Sequence, residues 1–160
     1  MERQKITTCL WFENRGEEAV RFYLSVFGGD ARILEETRYT EAGPGEPGTM
    51  LTQTFEIAGQ QFIALHGGPH ETFNDAVSLS VDCADQAEVD RLWAALSEGG
   101  EERDCGWVKD RYGVSWQIVP REMSDMVADP DPAAVDRVMR AMFTMKKLDL
   151  QALRDAHAGR

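Results

Sequence analysis

TTCLWF at residues 7–12 and AVSLSV at residues 76–81 are short runs in which apolar residues alternate with polar or small ones. That is the period of a strand with one covered face. Each leads through a polar turn into a helical pattern, EEAVRFYLSVFGG at 17–29 and AEVDRLWAALSEGG at 87–100. Val20, Tyr23 and Phe27 fall on one stripe of the first helix, and Val89, Leu92 and Leu96 on the matching stripe of the second. Both patterns stop at a Gly-Gly pair, Gly28-Gly29 and Gly99-Gly100. The two strand runs are offset by 69 residues, the mark of one supersecondary unit used twice. Asp85 is placed to cap the second helix, with Glu88 three residues on as in a capping box.

Extended, turn-punctuated stretches follow each helix. The first half offers 31–39, 50–57 and 61–66, the second roughly 101–104, 106–110 and 114–119, so each half reads β-α-β-β-β. In LTQTFEI, Leu51, Phe55 and Ile57 share one face and Thr52, Thr54 and Glu56 the other. Residues 41–48, EAGPGEPG, are too rich in Gly and Pro for regular structure. Residues 121–160 belong to neither half. Pro130-Asp131-Pro132 starts a helix there, with Val135, Val138, Met139, Met142 and Met145 on one face, and Asp149 is placed to cap a last helix bearing Leu150 and Leu153. The expected fold class is α+β: one domain over 1–160, with a first module at 6–66, a second at 76–120 and C-terminal helices at 121–160.

Length and composition set the limits. The chain has 160 residues, 42% hydrophobic and 28% charged, the makeup of a globular protein. Its net charge of −11 repels phosphate backbones, which argues against nucleic acid as partner. No apolar run approaches the roughly 20 residues of a membrane span, and the N-terminus lacks the apolar core of a signal peptide. The cytoplasm is the expected address, with no membrane partner. Cys9, Cys83 and Cys105 have no CxxC spacing and predict free thiols rather than a disulfide framework.

Strand alternation nominates the side chains that point away from the helices. Thr8, Leu10 and Phe12 should meet the first helix, leaving Thr7, Cys9 and Trp11 opposite. Val77, Leu79 and Val81 should meet the second, leaving Ala76, Ser78 and Ser80. Ile63 and Leu65 are expected to face inward, leaving Phe62, Ala64 and His66, and Trp116 and Ile118 likewise leave Ser115, Gln117 and Val119. Trp107 and Lys109 should share a strand face. Small polar groups, aromatics, an imidazole and an amide together have the makeup of a small-molecule pocket. The candidate ligand-binding residues are therefore Trp11, Phe62, His66, Trp107, Lys109 and Gln117. His66, beside Gly67-Gly68-Pro69, is the candidate for acid–base work; His70 ranks below it. Nothing near Cys105 argues for a thiolate nucleophile.

CLWFENRGEEAVRFYLSVF (9–27), GGPHETFNDAVSLSV (67–81), AEVDRLWAALSEGGEERDCGWVKDRYGVSWQIVP (87–120) and ADPDPAAVDRVMRAMFTMKKLDL (128–150) resemble the vicinal-oxygen-chelate superfamily of glyoxalases, bleomycin-resistance proteins and extradiol dioxygenases. The nearer likeness is to its PhnB-like branch, often labelled 3-demethylubiquinone-9 3-methyltransferase. The resemblance implies a glyoxalase-like fold, two βαβββ modules forming a curved mixed sheet around a ligand, and a homodimer to which the Met-rich helix of 132–146 contributes. Metal-dependent relatives take ligands from the first and last strands of each half, positions reaching Thr7, Ala64, Ala76 and Gln117 here. Two alanines cannot ligate a metal. His66 and Gln117 remain as weak candidates for a divalent ion, and no cofactor is predicted. The methyltransferase label implies S-adenosylmethionine, but the chain lacks the glycine-rich strand–loop–helix that nucleoside cofactors usually meet. A binding protein and an enzyme on the same scaffold both remain open.

Overall fold

Two helices each cover one sheet. The chain is described here from a computed structural model, over residues 4–160. In chain order it forms β1 (Thr8–Phe12), α1 (Gly16–Phe27), β2 (Arg32–Arg38), β3 (Met50–Ile57), β4 (Gln60–His66), β5 (Leu79–Cys83), α2 (Gln86–Ser97), β6 (Glu101–Glu102), β7 (Trp107–Lys109), β8 (Ser115–Pro120), α3 (Arg121–Val127), α4 (Pro132–Met142) and α5 (Leu150–His157). Two compact units result, the first ending at Phe73 and the second beginning at Asn74. Each holds a four-stranded sheet, in the orders β1-β4-β3-β2 and β5-β8-β7-β6. The outer pairs β1–β4 and β5–β8 are parallel and the remaining pairs antiparallel, so both sheets are mixed and share one topology. Among the described residues no helix is long and apolar enough to cross a membrane.

In the first unit α1 buries Ala19, Val20, Tyr23 and Val26 against the sheet; Val26, rather than Phe27, completes the stripe. Tyr23 stacks on Phe55 at 6.2 Å and Phe55 on Phe62 at 5.4 Å. In the second unit α2 buries Val89, Leu92, Trp93 and Leu96 against Val108, Trp116 and Ile118. The Asp85 carboxylate accepts from the Glu88 N–H at 2.9 Å. Glu88 reaches back to the Ala84 N–H at 2.7 Å, one residue beyond the usual partner of a capping box.

The expectations for two of the strands need correction. The strand expected at 76–81 begins three residues later, at Leu79. The Asn74 side chain accepts from the Ala76 N–H at 2.9 Å, a local turn that competes with strand pairing, and Val77 is left 68% exposed. The facing of 61–66 is also reversed. Phe62, Ala64 and His66 pair with Thr8, Leu10 and Phe12, so they share the helix-covered face, where Phe62 and Ala64 are buried. Ile63 and Leu65 point outward. QFIALH carries apolar residues on both faces, and only its neighbours in the sheet break that tie.

The C-terminal helices belong to the second unit. Asp131 and Asp149 cap α4 and α5, accepting from the N–H groups of Ala133 and Ala152. Met123, Met126, Val138, Leu148, Leu150 and Leu153 form one buried cluster, with Met142 and Met145 packed against it. The helix ends at Met142 instead of reaching 146. Beyond it the chain turns so that Met145 and Lys146 accept from the N–H groups of Cys105 and Gly106, at 2.8 and 2.7 Å.

Candidate functional site

At the C-terminal ends of parallel β1 and β4 the first unit opens a cleft of about 600 Å³. The Gly67 N–H donates to the Phe12 carbonyl at 3.2 Å, turning the chain across the strand end. The Trp11 indole N–H donates to the Gly68 carbonyl at 2.9 Å. A Cβ on Gly67 would lie 2.3 Å from that indole, so only glycine lets the ring and backbone meet. Tyr39 follows β2 and donates its hydroxyl to the His66 carbonyl at 3.0 Å. The Gly/Pro-rich loop closes on the Tyr39 ring: a Cβ on Gly43 or Gly45 would stand 2.7 or 2.5 Å from it. Backbone bonds of Tyr39 with Thr49 and Gly48, both 2.9 Å, pin the loop base. Composition foretold an irregular loop, but not its packing around an aromatic ring.

His66 lies at the cleft wall with its imidazole against Gly16, the first residue of α1; a Cβ there would be 2.5 Å from the ring. Its Nε2 is buried without a partner. Burial pushes its pKa down, and the nearby Glu17 carboxylate pulls in the opposite sense. Of the two, burial is the larger and favours the neutral ring. Glu13, Asn14, Glu17, Thr49 and His70 complete the polar lining, and Glu17 also meets Arg21 at 3.2 Å. Thr7 lies apart from this cleft, in a groove of about 260 Å³ with Thr37, Thr52, Thr54, Gln61 and Ile63.

Trp107, Lys109 and Gln117 share one face of the second sheet. Trp107 opposes Gln117 and Lys109 opposes Ser115. The Gln117 amide donates to the Ser78 hydroxyl at 2.8 Å. The Ser115 hydroxyl donates to Asp75 at 2.6 Å, and Arg103 bridges Asp75 and Glu101. The Ser115 hydrogen bond first, and Arg103 second, hold the Asp75 carboxyl below its usual range. Of the six nominated residues, then, Trp11 and His66 meet at the cleft. Trp107, Lys109 and Gln117 share an outward face, and Phe62 packs in the core.

Sequence reading missed Asp110. This buried carboxylate accepts from the N–H groups of Tyr112 and Val114, at 2.8 and 3.1 Å, and from the Trp116 indole at 2.8 Å. The signal was present in Asp110-Arg111-Tyr112-Gly113, with Asp and Gly at the first and last places of a tight turn.

Two of the four metal positions implied by the resemblance, Ala64 and Ala76, carry no donor side chain. Ala64 faces the helix, Ala76 lies in the turn before β5, and Gln117 spends its amide N–H on Ser78. Among the described residues no group of three or more His, Cys, Asp or Glu side chains is placed to hold a metal ion. With no donor at two of these four positions, the residues present do not fit a divalent ion. The three cysteines are free thiols; burial raises the pKa of each, that of Cys83 to about 12.

Paired parallel–antiparallel sheets, each under one helix, define the vicinal-oxygen-chelate class, and solved structures agree. A PhnB protein from Bacillus cereus, carrying a 3-demethylubiquinone-9 3-methyltransferase designation, is 39% identical over 71% of this chain and 97% of its own, with a TM-score of 0.64. A protein from Pseudomonas aeruginosa is 22% identical over 71% of this chain and 95% of its own, with a TM-score of 0.57. The fosfomycin resistance protein FosX of Mesorhizobium loti, 15% identical over 81% of this chain and 100% of its own at a TM-score of 0.56, shares the fold. No curated protein matches the chain. The chain belongs to the family described as 3-demethylubiquinone-9 3-methyltransferase, whose model matches residues 4–119; α3, α4 and α5 lie beyond that match.

Proposed function

We propose that the chain is a small-molecule-binding protein of the vicinal-oxygen-chelate fold whose ligand enters the cleft of the first unit. The carrying observation is that cleft: about 600 Å³, within the range of small-molecule sites, with Trp11 and Tyr39 held by backbone bonds and His66 on its wall. A rigid aromatic wall with a few fixed polar groups suits orientation of a ligand at low entropic cost. Trp107, Lys109 and Gln117 form a second candidate contact face on the other sheet.

A thermal-shift screen of small molecules, repeated on Trp11→Ala, His66→Ala and Trp107→Ala, tests the assignment. Ligands should stabilise the parent chain and lose at least tenfold in affinity on loss of Trp11 or His66. Binding unchanged in all three variants would remove the site. We also propose a cytoplasmic homodimer. Light scattering giving a monomer mass would end the dimer, and fractionation placing the chain outside the cytoplasm would end that assignment.

The designation shared by the family and the Bacillus cereus relative favours a second reading, methyl transfer from S-adenosylmethionine. It predicts saturable binding of that cofactor by calorimetry; no heat at millimolar cofactor would remove it. A metal-dependent enzyme predicts about one divalent ion per chain in protein purified without chelators or metal-binding tags. Less than about a tenth would remove that version.

A further inference from the structure

We infer that the cleft beside Trp11 selects organic cations, ammonium ligands carrying an aromatic or aliphatic body. The inference rests on the ligand-binding reading above and names its chemistry. The cleft is lined by two carboxylates, Glu13 and Glu17, by the rings of Trp11 and Tyr39, and by no Lys or Arg. Glu17 lies close enough to His66 to act on its charge, and burial lowers the pKa of that imidazole, which works against a positive charge at the cleft wall. Arg21 offsets Glu17 only from an exposed pair at 3.2 Å, and Glu13 is exposed to solvent.

The indole is fixed by its bond to Gly68 and its contact on Gly67, presenting an aromatic surface at the cleft, where a cation is attracted by the ring quadrupole. Helix α1 begins at Gly16, and its positive end would by itself favour anions. Glu17 and Glu18 in its first turn answer that field and leave an anionic ligand facing like charge. A chain of net charge −11 also steers cations toward it.

Three probes of one shape separate the alternatives: 2-phenylethylammonium, 2-phenylethanol and phenylacetate, titrated into the full chain at low salt. Amide and indole NMR shifts are followed at Trp11, Gly67 and Gly68. The ammonium probe should bind at least tenfold more tightly than the alcohol, and phenylacetate more weakly than either. Glu13→Gln with Glu17→Gln should bring the ammonium and alcohol affinities to within about twofold; an undiminished preference for the ammonium probe would overturn the role of the two carboxylates. Equal affinity for all three probes, or preference for phenylacetate, would overturn cation selection and leave the cleft a binding site. If no probe moves the Trp11 indole signal, the cleft is not a ligand site and both readings fall.

Discussion

Single side chains carry measurable consequences. Asp110 accepts three N–H donors, two of them on Val114 and Trp116, which are both buried. Asp110→Ala leaves those donors without an acceptor and should lower stability by about 3 kcal/mol; Asp110→Asn, nearly the same shape with one acceptor retained, should cost about 1 kcal/mol. Urea unfolding of the two variants measures both. His66 supplies a pH signature. Its folded pKa lies below its unfolded value because burial disfavours the imidazolium. The unfolded chain takes up that proton first, so stability rises with pH through this window and is lost as pH falls below about 6.5. His66→Gln should unfold with a flatter pH profile between pH 7 and 5 than the parent chain, read from melting temperatures; equal slopes would show that the imidazole is not desolvated. His66 was legible in the sequence as a strand-end imidazole beside glycines. Its face was not, because QFIALH carries apolar residues at both parities and pairing with β1 makes the choice.

At the scale of elements, capped helix starts were the most legible feature. Asp85, Asp131 and Asp149 each accept a first-turn N–H, as a short polar side chain ahead of an apolar stripe dictates. Asp85→Ala and Asp149→Ala should each cost about 1 kcal/mol by thermal or urea unfolding, while Asp131→Ala tests the shorter reach to Ala133. Strand starts were less legible. The AVSLSV run loses its first three residues to the turn made by Asn74, because a side-chain acceptor close in sequence outcompetes a distant strand for the Ala76 N–H. Of the Met-rich stripe of α4, Val138 and Met142 pack within their own unit, with Met145, against α3, α5 and the tail at 145–150.

For the molecule as a whole, the tail proves integral to the second unit. Leu148, Leu150 and Leu153 are buried. Gln86 at the start of α2 donates to the Leu148 carbonyl at 3.1 Å and accepts from the Leu150 N–H at 2.7 Å. Removing residues 143–160 strips three buried leucines, roughly 6 kcal/mol of transfer free energy at about 2 kcal/mol each, comparable to the whole stability of an ordinary domain. The truncated chain should lose its cooperative thermal transition by circular dichroism, although residues 4–119, which the family model covers, are all retained. A sharp transition within a few degrees of the full chain would show the tail to be an appendage.

Local chemistry was enough to establish the duplicated βαβββ plan, the two helix stripes, the caps and the irregular loop at 41–48. Each depends on residues within one or two turns of each other, whose spacing is written along the chain. Tertiary structure alone decided that Phe62 is core, that Trp11 and His66 meet at one cleft through Gly67 and Gly68, that Asp110 holds Trp116, and that the tail closes the second unit. Those outcomes depend on which strand lies beside which and on atoms brought within hydrogen-bonding range from distant positions. Period-two alternation states that a strand has two faces; only its neighbours determine which one the helix covers.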